Sequence, residues 1–336
     1  MYRTVVPLLI CALLLSGGCA PKARYLRFEG FAQGSTYHVT CRVPGRVTEQ
    51  AVRAKVDSLL LEIDGSLSGY NKGSLLSRLN AGEDLPLNDL FVECFSRSAD
   101  ICRETGGAFD PSAAPLFDLW GFGFSNKGEV TQQAIDSILA FVGMSHLSLE
   151  ERPDGWHLVK DDPRIQLNFN AIAQGYSCDV VAVLLEGLGA TDYLVDIGRE
   201  IICKGKNPAG NDWRIGLDRP TDGNFDEGKD LEAIIEVSDC GIVTSGNYRK
   251  FYIEDGQKYA HTIDPATGRP VTHNLLSATI VAADATTADA YATWMMVVGP
   301  QRAREILAAR PDLEALLVYD EAGQMKTFQT EHLKTR

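Results

Sequence analysis

The run "NAIAQGYSCDVVAVLLEGLGATDYLVDIG", residues 170–198, constrains the fold more than any other stretch of the chain. Its apolar residues recur at helical spacing, and a short Gly-containing turn then leads into the strand-like "YLVDIG". A helix with an apolar stripe and a strand with an apolar face must bury both, which calls for a sheet with helices packed on it. Elsewhere the alternation is irregular. "YLRFEGFAQGSTYHVTCRV" reads as two strands broken at Gly30 or Gly34, and "VTEQAVRAKVDSLLLEIDGSLS" as a helix opened by Thr48. A second helix is predicted from about Asn88 to Thr105, closing on Gly106–Gly107, and a third in "TQQAIDSILAFVG" with Thr131 as N-cap. Short strands are predicted at His157–Val159 and Ile165–Phe169, then at "WRIGLDR", "LEAIIEV", "KFYIED", "LLSATIVAA" and "LEALLVY". A last helix is predicted from about Thr287 to Val298, followed by "PQRAREILAA". This irregular order favours an α+β or mixed-sheet enzyme over a doubly wound fold. With 45% hydrophobic residues in 336, no repeat and no linker, the chain reads as one domain after its leader.

That leader occupies residues 1–18. Arg3 provides a short positive start, and "VVPLLICALLLSGG" is apolar but too short to span a bilayer stably. It ends in small residues before Cys19, as a bacterial lipoprotein signal does, with Ser16 where the usual pattern has Leu; a plain cleaved secretory signal is the other reading. Cys19 is then the lipid-bearing N-terminus of a mature chain, 19–336, tethered to a membrane. Of the remaining cysteines none forms a CxxC pair, and Cys94 and Cys102 would lie about 12 Å apart along a helix. The expectation is buried free thiols. The net charge of −13, with 45 acidic against 32 basic residues and no basic run, argues against a nucleic-acid partner.

Four segments carry residues that packing alone does not require. In "GGAFDPS", glycines let a backbone approach a ligand and Phe109 offers a ring, although Asp110 could simply cap a tight turn. "NFNAIAQGY" turns from a strand into a helix whose N-terminus suits phosphate, or merely has Asn170 as its N-cap. Gly175, early in that helix, costs helix stability and points to a close approach. In "TTADAYATWMM", Asp289 and Thr293 stand at i and i+4 and offer oxygens to a hard cation, unless Thr286 and Asp289 form a capping box. In "YAHTIDPATGRP", His261 is one of six histidines and sits among Thr, Asp, Gly and Arg. Its imidazole is a natural general base for a hydroxyl nucleophile, or else a surface residue of a hairpin loop.

Taken in order, "GSTY", "SLSGYNKGSLLSRLN", "GGAFDPSAAPLFDLWGFG", "NAIAQGYSCDVVAVLLEGLGATDYLVDIG", "WRIGLDRP", "TSGNYRKFY", "HTIDPATGRPV" and "TTADAYAT" resemble the FAD:protein FMN transferase (ApbE) family over nearly all of the mature chain. The resemblance implies a single mixed α/β domain with a T-fold-like core. It implies a Mg²⁺-dependent cleavage of FAD at the pyrophosphate, attachment of FMN to a Ser or Thr of an extracytoplasmic redox protein, and release of AMP. Carried over by motif position, Gln33, Tyr70, Ala108, Phe109, Asp110, Asn168, Gln174 and Ile263 fall at flavin-contacting places. The metal falls to Asp289 and Thr293 with backbone oxygens of Ala171 and Ala292, and His261 becomes the base. Three positions depart from the pattern: Gln33 replaces Met, Asn168 replaces Asp, and Gln174 replaces Lys or Glu. The tether is expected on the periplasmic side, at the inner rather than the outer membrane. An FAD pyrophosphatase and a non-catalytic flavin-binding lipoprotein are the alternative functions.

Overall fold

The structure is a computed structural model that describes residues 22–125, 127–221, 224, 228–248, 251–254 and 257–336. The leader and Cys19 lie outside the described residues.

Strands β1 (Arg24–Ala32) and β2 (Ser35–Val43) form a hairpin through Gln33–Gly34, with φ of 52° and 76° at the two turn residues. Two successive positive φ values suit the twist of a tight hairpin, which is why glycine stands second. Helix α1 (Glu49–Leu67) opens on Thr48, whose hydroxyl accepts from Ala51 N. A short α2 (Leu75–Asn80) is capped by Ser74, and α3 (Asp89–Glu104) by Asn88. Next come α4 (Ala114–Trp120), α5 (Gln132–Leu139) with its Thr131 cap, and the hairpin of β3 (Leu147–Arg152) and β4 (Gly155–Lys160). Helix α6 (Ala173–Gly187) leads into β5 (Asp192–Ile197) and β6 (Glu200–Lys204). A second hairpin joins β7 (Trp213–Asp218) to β8 (Leu231–Val237), and β9 (Cys240–Gly246) returns to the main sheet. Short pairs β10 (Phe251–Glu254) with β11 (Gln257–Ala260), and β12 (Ile263–Asp264) with β13 (Arg269–Pro270), precede β14 (Leu275–Ala282). Helix α7 (Ala285–Ala308) and the strands β15 (Glu314–Glu321) and β16 (Gln324–Gln329) complete the chain.

The central sheet has eight strands in the order β1-β2-β5-β6-β9-β14-β15-β16, and every neighbouring pair is antiparallel. Side chains alternate across it. Ile202, Val243, Ile280 and Leu317 face a core shared with α1, α3, α6 and α7. Ile201, Cys203, Ile242, Val281 and Leu316 face a smaller core roofed by Trp213, Ile215 and Ile235 of the β7–β8 hairpin. A third cluster of Leu116, Trp120, Ile135 and Ile263 anchors α4 and α5 beside β12. The result is the expected α+β single domain, with helices concentrated on one face.

Several expectations need correction. Ile165–Phe169 is no strand. Its odd residues are buried, but Gln166 makes only an isolated bridge to Ala113, while Leu167 N and Asn168 N donate to Asn80 Oδ1 and Pro111 O. Alternation there reports one-sided burial, not a ladder. Asn170 does not cap α6, which begins after Ile172 without a side-chain cap; Asn170 N instead donates to Asn168 Oδ1. Helix α7 starts at Ala285 on an Asp284 N-cap and continues through a kink at Gly299–Pro300. The Thr286–Asp289 capping box is therefore absent, and Asp289 lies inside the helix. All six described cysteines are free and buried, as expected.

Candidate active site

One cavity of about 330 Å³ opens where α7, the segment before α6, the loop after α3 and the β11–β12 segment converge. Its position follows from how tightly α6 and α7 pack. A Cβ on Gly175 would stand 2.3 Å from Ala285 O and 2.8 Å from Asp289 Cβ, so the early glycine serves a close approach of α7, not of a ligand. Across that contact Gly175 N donates to Asp289 Oδ2 at 3.1 Å. The start of α7 is held from two more sides. Asp179 accepts from Ala285 N at 2.9 Å and Thr286 N at 2.8 Å, and Arg97 Nη2 donates to Asp284 Oδ1 at 2.8 Å and Thr287 Oγ1 at 2.9 Å. These anchors fix the start of the helix, whose second and third turns bring Asp289 and Thr293 to the cavity.

Burial raises the Asp289 carboxyl above the usual carboxylate range, and the charge of Asp179 adds to the rise while the Gly175 bond opposes it. Asp179 is itself pushed up to about 6, chiefly by burial, against three donors that favour its charged form. Glu200, at the start of β6, is raised well above the usual range by burial and then by the charge of Asp289.

The opposite wall comes from the loop after α3. Phe109 is buried, and Asp110 accepts from Ser112 N at 2.8 Å and Ser112 Oγ at 2.6 Å, so the carboxylate braces the turn it begins. Tyr70 stands exposed at the rim, edge-on to Phe124 at 4.9 Å, with its hydroxyl accepting from Asn170 Nδ2 at 3.2 Å. The third wall is the β11–β12 segment. Trp120, Tyr259, Tyr252 and Phe122 stack in series at 5.6, 5.2 and 5.3 Å, and Phe122 meets the His261 ring edge-on at 6.4 Å. Thr262 Oγ1 donates to Asn247 Oδ1 at 2.6 Å, and Trp120 Nε1 donates to Gly268 O at 2.8 Å. The hairpin that presents His261 is thus clamped by an aromatic stack and by buried hydrogen bonds on both sides.

Of the residues singled out in the sequence, Tyr70, Ala108, Phe109, Asp110, Asn168, Ala171, His261, Ile263, Asp289 and Thr293 line this one cavity. Gln33, Gln174 and Ala292 do not. Gln33 sits in the β1–β2 turn and donates to Ser177 Oγ at 2.6 Å, and Ala292 is fully buried on the packed side of α7. The cavity also takes in Glu200, which lies outside every quoted motif, and Thr244–Gly246, Tyr248 and Phe122, which lie inside quoted motifs without an assigned role. Glu200 left a signal: a carboxylate heading the apolar "IIC" of β6.

Three carboxylates (Asp110, Glu200 and Asp289) and no Lys or Arg line the cavity among the described residues. Carboxylate oxygens of this kind are suitable partners for a hard cation. No three His, Cys, Asp or Glu side chains gather as a metal cluster among those residues.

Fold and site together define an α+β protein with one cavity walled by aromatic rings, hydroxyls and carboxylates. The comparisons give the family. The ApbE family model matches residues 33–317. A protein of Escherichia coli (strain K12) named FAD:protein FMN transferase is 32% identical over 342 residues, covering 97% of this chain and 95% of that one. A Vibrio cholerae protein of the same name is 33% identical, covering 97% of this chain and 96% of its own. Among solved structures, the flavin transferase ApbE from Vibrio cholerae superposes with a TM-score of 0.80 at 32% identity, over 92% of this chain and 98% of that one. The apo flavinyl transferase ApbE of Pseudomonas stutzeri gives 0.80 at 33% identity, over 92% and 95%. The chain belongs to the ApbE family and is an enzyme of the transferase class.

Proposed function

We propose that this enzyme is an FAD:protein FMN transferase that moves FMN from FAD to a Ser or Thr hydroxyl of a partner redox protein, with AMP as leaving group. The observation that carries the proposal is the convergence of His261, the Asp289–Thr293 pair and the Phe109 loop on one cavity. The names of the relatives supply the substrate class.

The donor set fits a hard divalent cation: a carboxylate, a hydroxyl and a nearby backbone segment, beside an orphaned buried oxygen on Glu200. Asp289, Thr293 and the Ala171 carbonyl would hold Mg²⁺, which supplies charge neutralisation for the pyrophosphate. The chain's own residues do the rest. Phe109 and Tyr70 offer rings to the flavin, and Asn168 and Asn170 offer amides at the rim. His261 takes the proton from the acceptor hydroxyl, whose oxygen bonds to the FMN phosphorus as the bond to AMP breaks. The clamped hairpin keeps the imidazole at the cavity while the acceptor approaches from the open side.

The leader supports a periplasmic-side protein tethered through lipid on Cys19, at the inner membrane. The chain incubated with FAD, Mg²⁺ and an acceptor domain should release AMP without accumulating FMN. FMN and AMP in equal yield with an unlabelled acceptor would make it a pyrophosphatase, and unchanged FAD would leave a flavin-binding lipoprotein.

A further inference from the structure

One carboxylate oxygen of the cavity is left without a partner by the fold. Glu200 heads β6, where its carbonyl accepts the Cys178 thiol at 2.9 Å, and its side chain lines the same cavity as Asp289. Its Oε2 is sealed from solvent and hydrogen-bonded to nothing. Among the described residues only three other side-chain polar atoms share that condition, on Ser98, Tyr252 and Arg304, so this is the one carboxylate oxygen so placed. Leaving such an oxygen bare is costly, and folded proteins rarely do it without a partner that arrives later.

Its surroundings narrow what that partner can be. Of the charges near it, Asp289 and Asp196 repel and Arg199 attracts, but Arg199 is paired with Asp218 and donates no hydrogen bond to Oε2. The Gln174 amide comes close, since a Cβ on Gly198 would lie 2.2 Å from Gln174 Nε2 and 3.2 Å from Glu200 Oε2, yet no hydrogen bond joins the two side chains. Protonation would remove the charge but leave the same oxygen unpartnered. An anionic ligand is excluded by sign, and an apolar one would leave the oxygen bare. A cation satisfies both carboxylates at once.

We propose that Glu200 contributes Oε2 to the coordination sphere of the divalent cation held at Asp289 and Thr293. The inference rests on the Mg²⁺ reading of the site and adds to it a ligand that lies nearly ninety residues before Asp289 in the chain. The metal would then bridge α7 to the edge of β6, tying the helix that carries its ligands to the central sheet.

Mn²⁺ binding to the FAD-loaded full chain, read by electron paramagnetic resonance of the free ion, tests this without reference to turnover. Glu200→Gln should weaken Mn²⁺ binding about 10–100-fold, while Asp289→Asn loses it and His261→Ala leaves it unchanged. Thermal melting gives a second readout. The rise in melting temperature on adding Mn²⁺ should be smaller in Glu200→Gln than in wild type. Wild-type affinity in Glu200→Gln, with binding still lost in Asp289→Asn, would overturn the role of Glu200 and leave the cation site standing. A wild-type chain that binds no Mn²⁺ would overturn both.

Discussion

Replacing Gly175 with alanine sets two opposing effects against each other. In an exposed helix the change would stabilise by about 1 kcal/mol through helix propensity. Here the new Cβ would stand 2.3 Å from Ala285 O and 2.8 Å from its carbonyl carbon, both backbone atoms that no rotamer change can move. Ordinary contact begins near 3.4 Å, so α6 and α7 would have to part by about 1 Å. Overpacking of that kind costs roughly 1–3 kcal/mol, and losing the charged hydrogen bond from Gly175 N to Asp289 removes about 1.5–3 more. The steric and hydrogen-bond losses therefore win, with a net destabilisation of roughly 1.5–5 kcal/mol. Urea denaturation of wild type and Gly175→Ala should show a lower midpoint at unchanged slope, and Mn²⁺ affinity should fall because Asp289 moves with α7. A midpoint equal to or above wild type would refute the claim that the glycine exists for the α6–α7 contact.

Three further outcomes follow from the same geometry. His261→Ala should cut transfer by at least about 100-fold with FAD affinity intact, measured by flavin fluorescence quenching, because the ring acts on the acceptor's proton. Asp179 is raised from the ordinary 3.8 to about 6 in the folded state, so the folded chain binds this proton more tightly than the unfolded one. Its contribution is therefore most favourable below about pH 4 and is lost as pH rises through 6; the stability of wild type minus that of Asp179→Asn should slope downward across that window. Burial pushes the Cys41, Cys94 and Cys178 thiols well up, and all six described thiols are buried, so a disulfide dye should label native protein slowly and label six thiols of the mature domain after denaturation, Cys19 aside. Rapid labelling of the native chain would contradict the core assignment.

What was legible in the sequence was whatever repeats a local rule. Thr48, Asn88 and Thr131 each precede an apolar-periodic run, and each caps the helix it announces. What escaped was set by distant contacts. Helix α2 is too short to show a period, and β9 reads as "CGIVTSG", whose glycines disguise a strand pinned between β6 and β14. Gly175 was rightly flagged as a point of close approach, but only the fold shows that the approaching group is α7. The site divides the same way. Motif positions brought ten residues to one cavity, whereas Glu200 was missed because a lone carboxylate at a strand start acquires meaning only when Asp289 arrives beside it.

The central claim is that the cavity transfers FMN to a protein hydroxyl with help from a cation. The most direct measurement is the flavin fluorescence that stays with an acceptor domain after denaturation, following incubation of the full chain with FAD and Mg²⁺. The account predicts covalent flavin on the acceptor with Mg²⁺ and none when the ion is chelated. Equal labelling in the presence of a chelator would contradict it, and so would an acceptor that stays dark with Mg²⁺ while FAD is consumed.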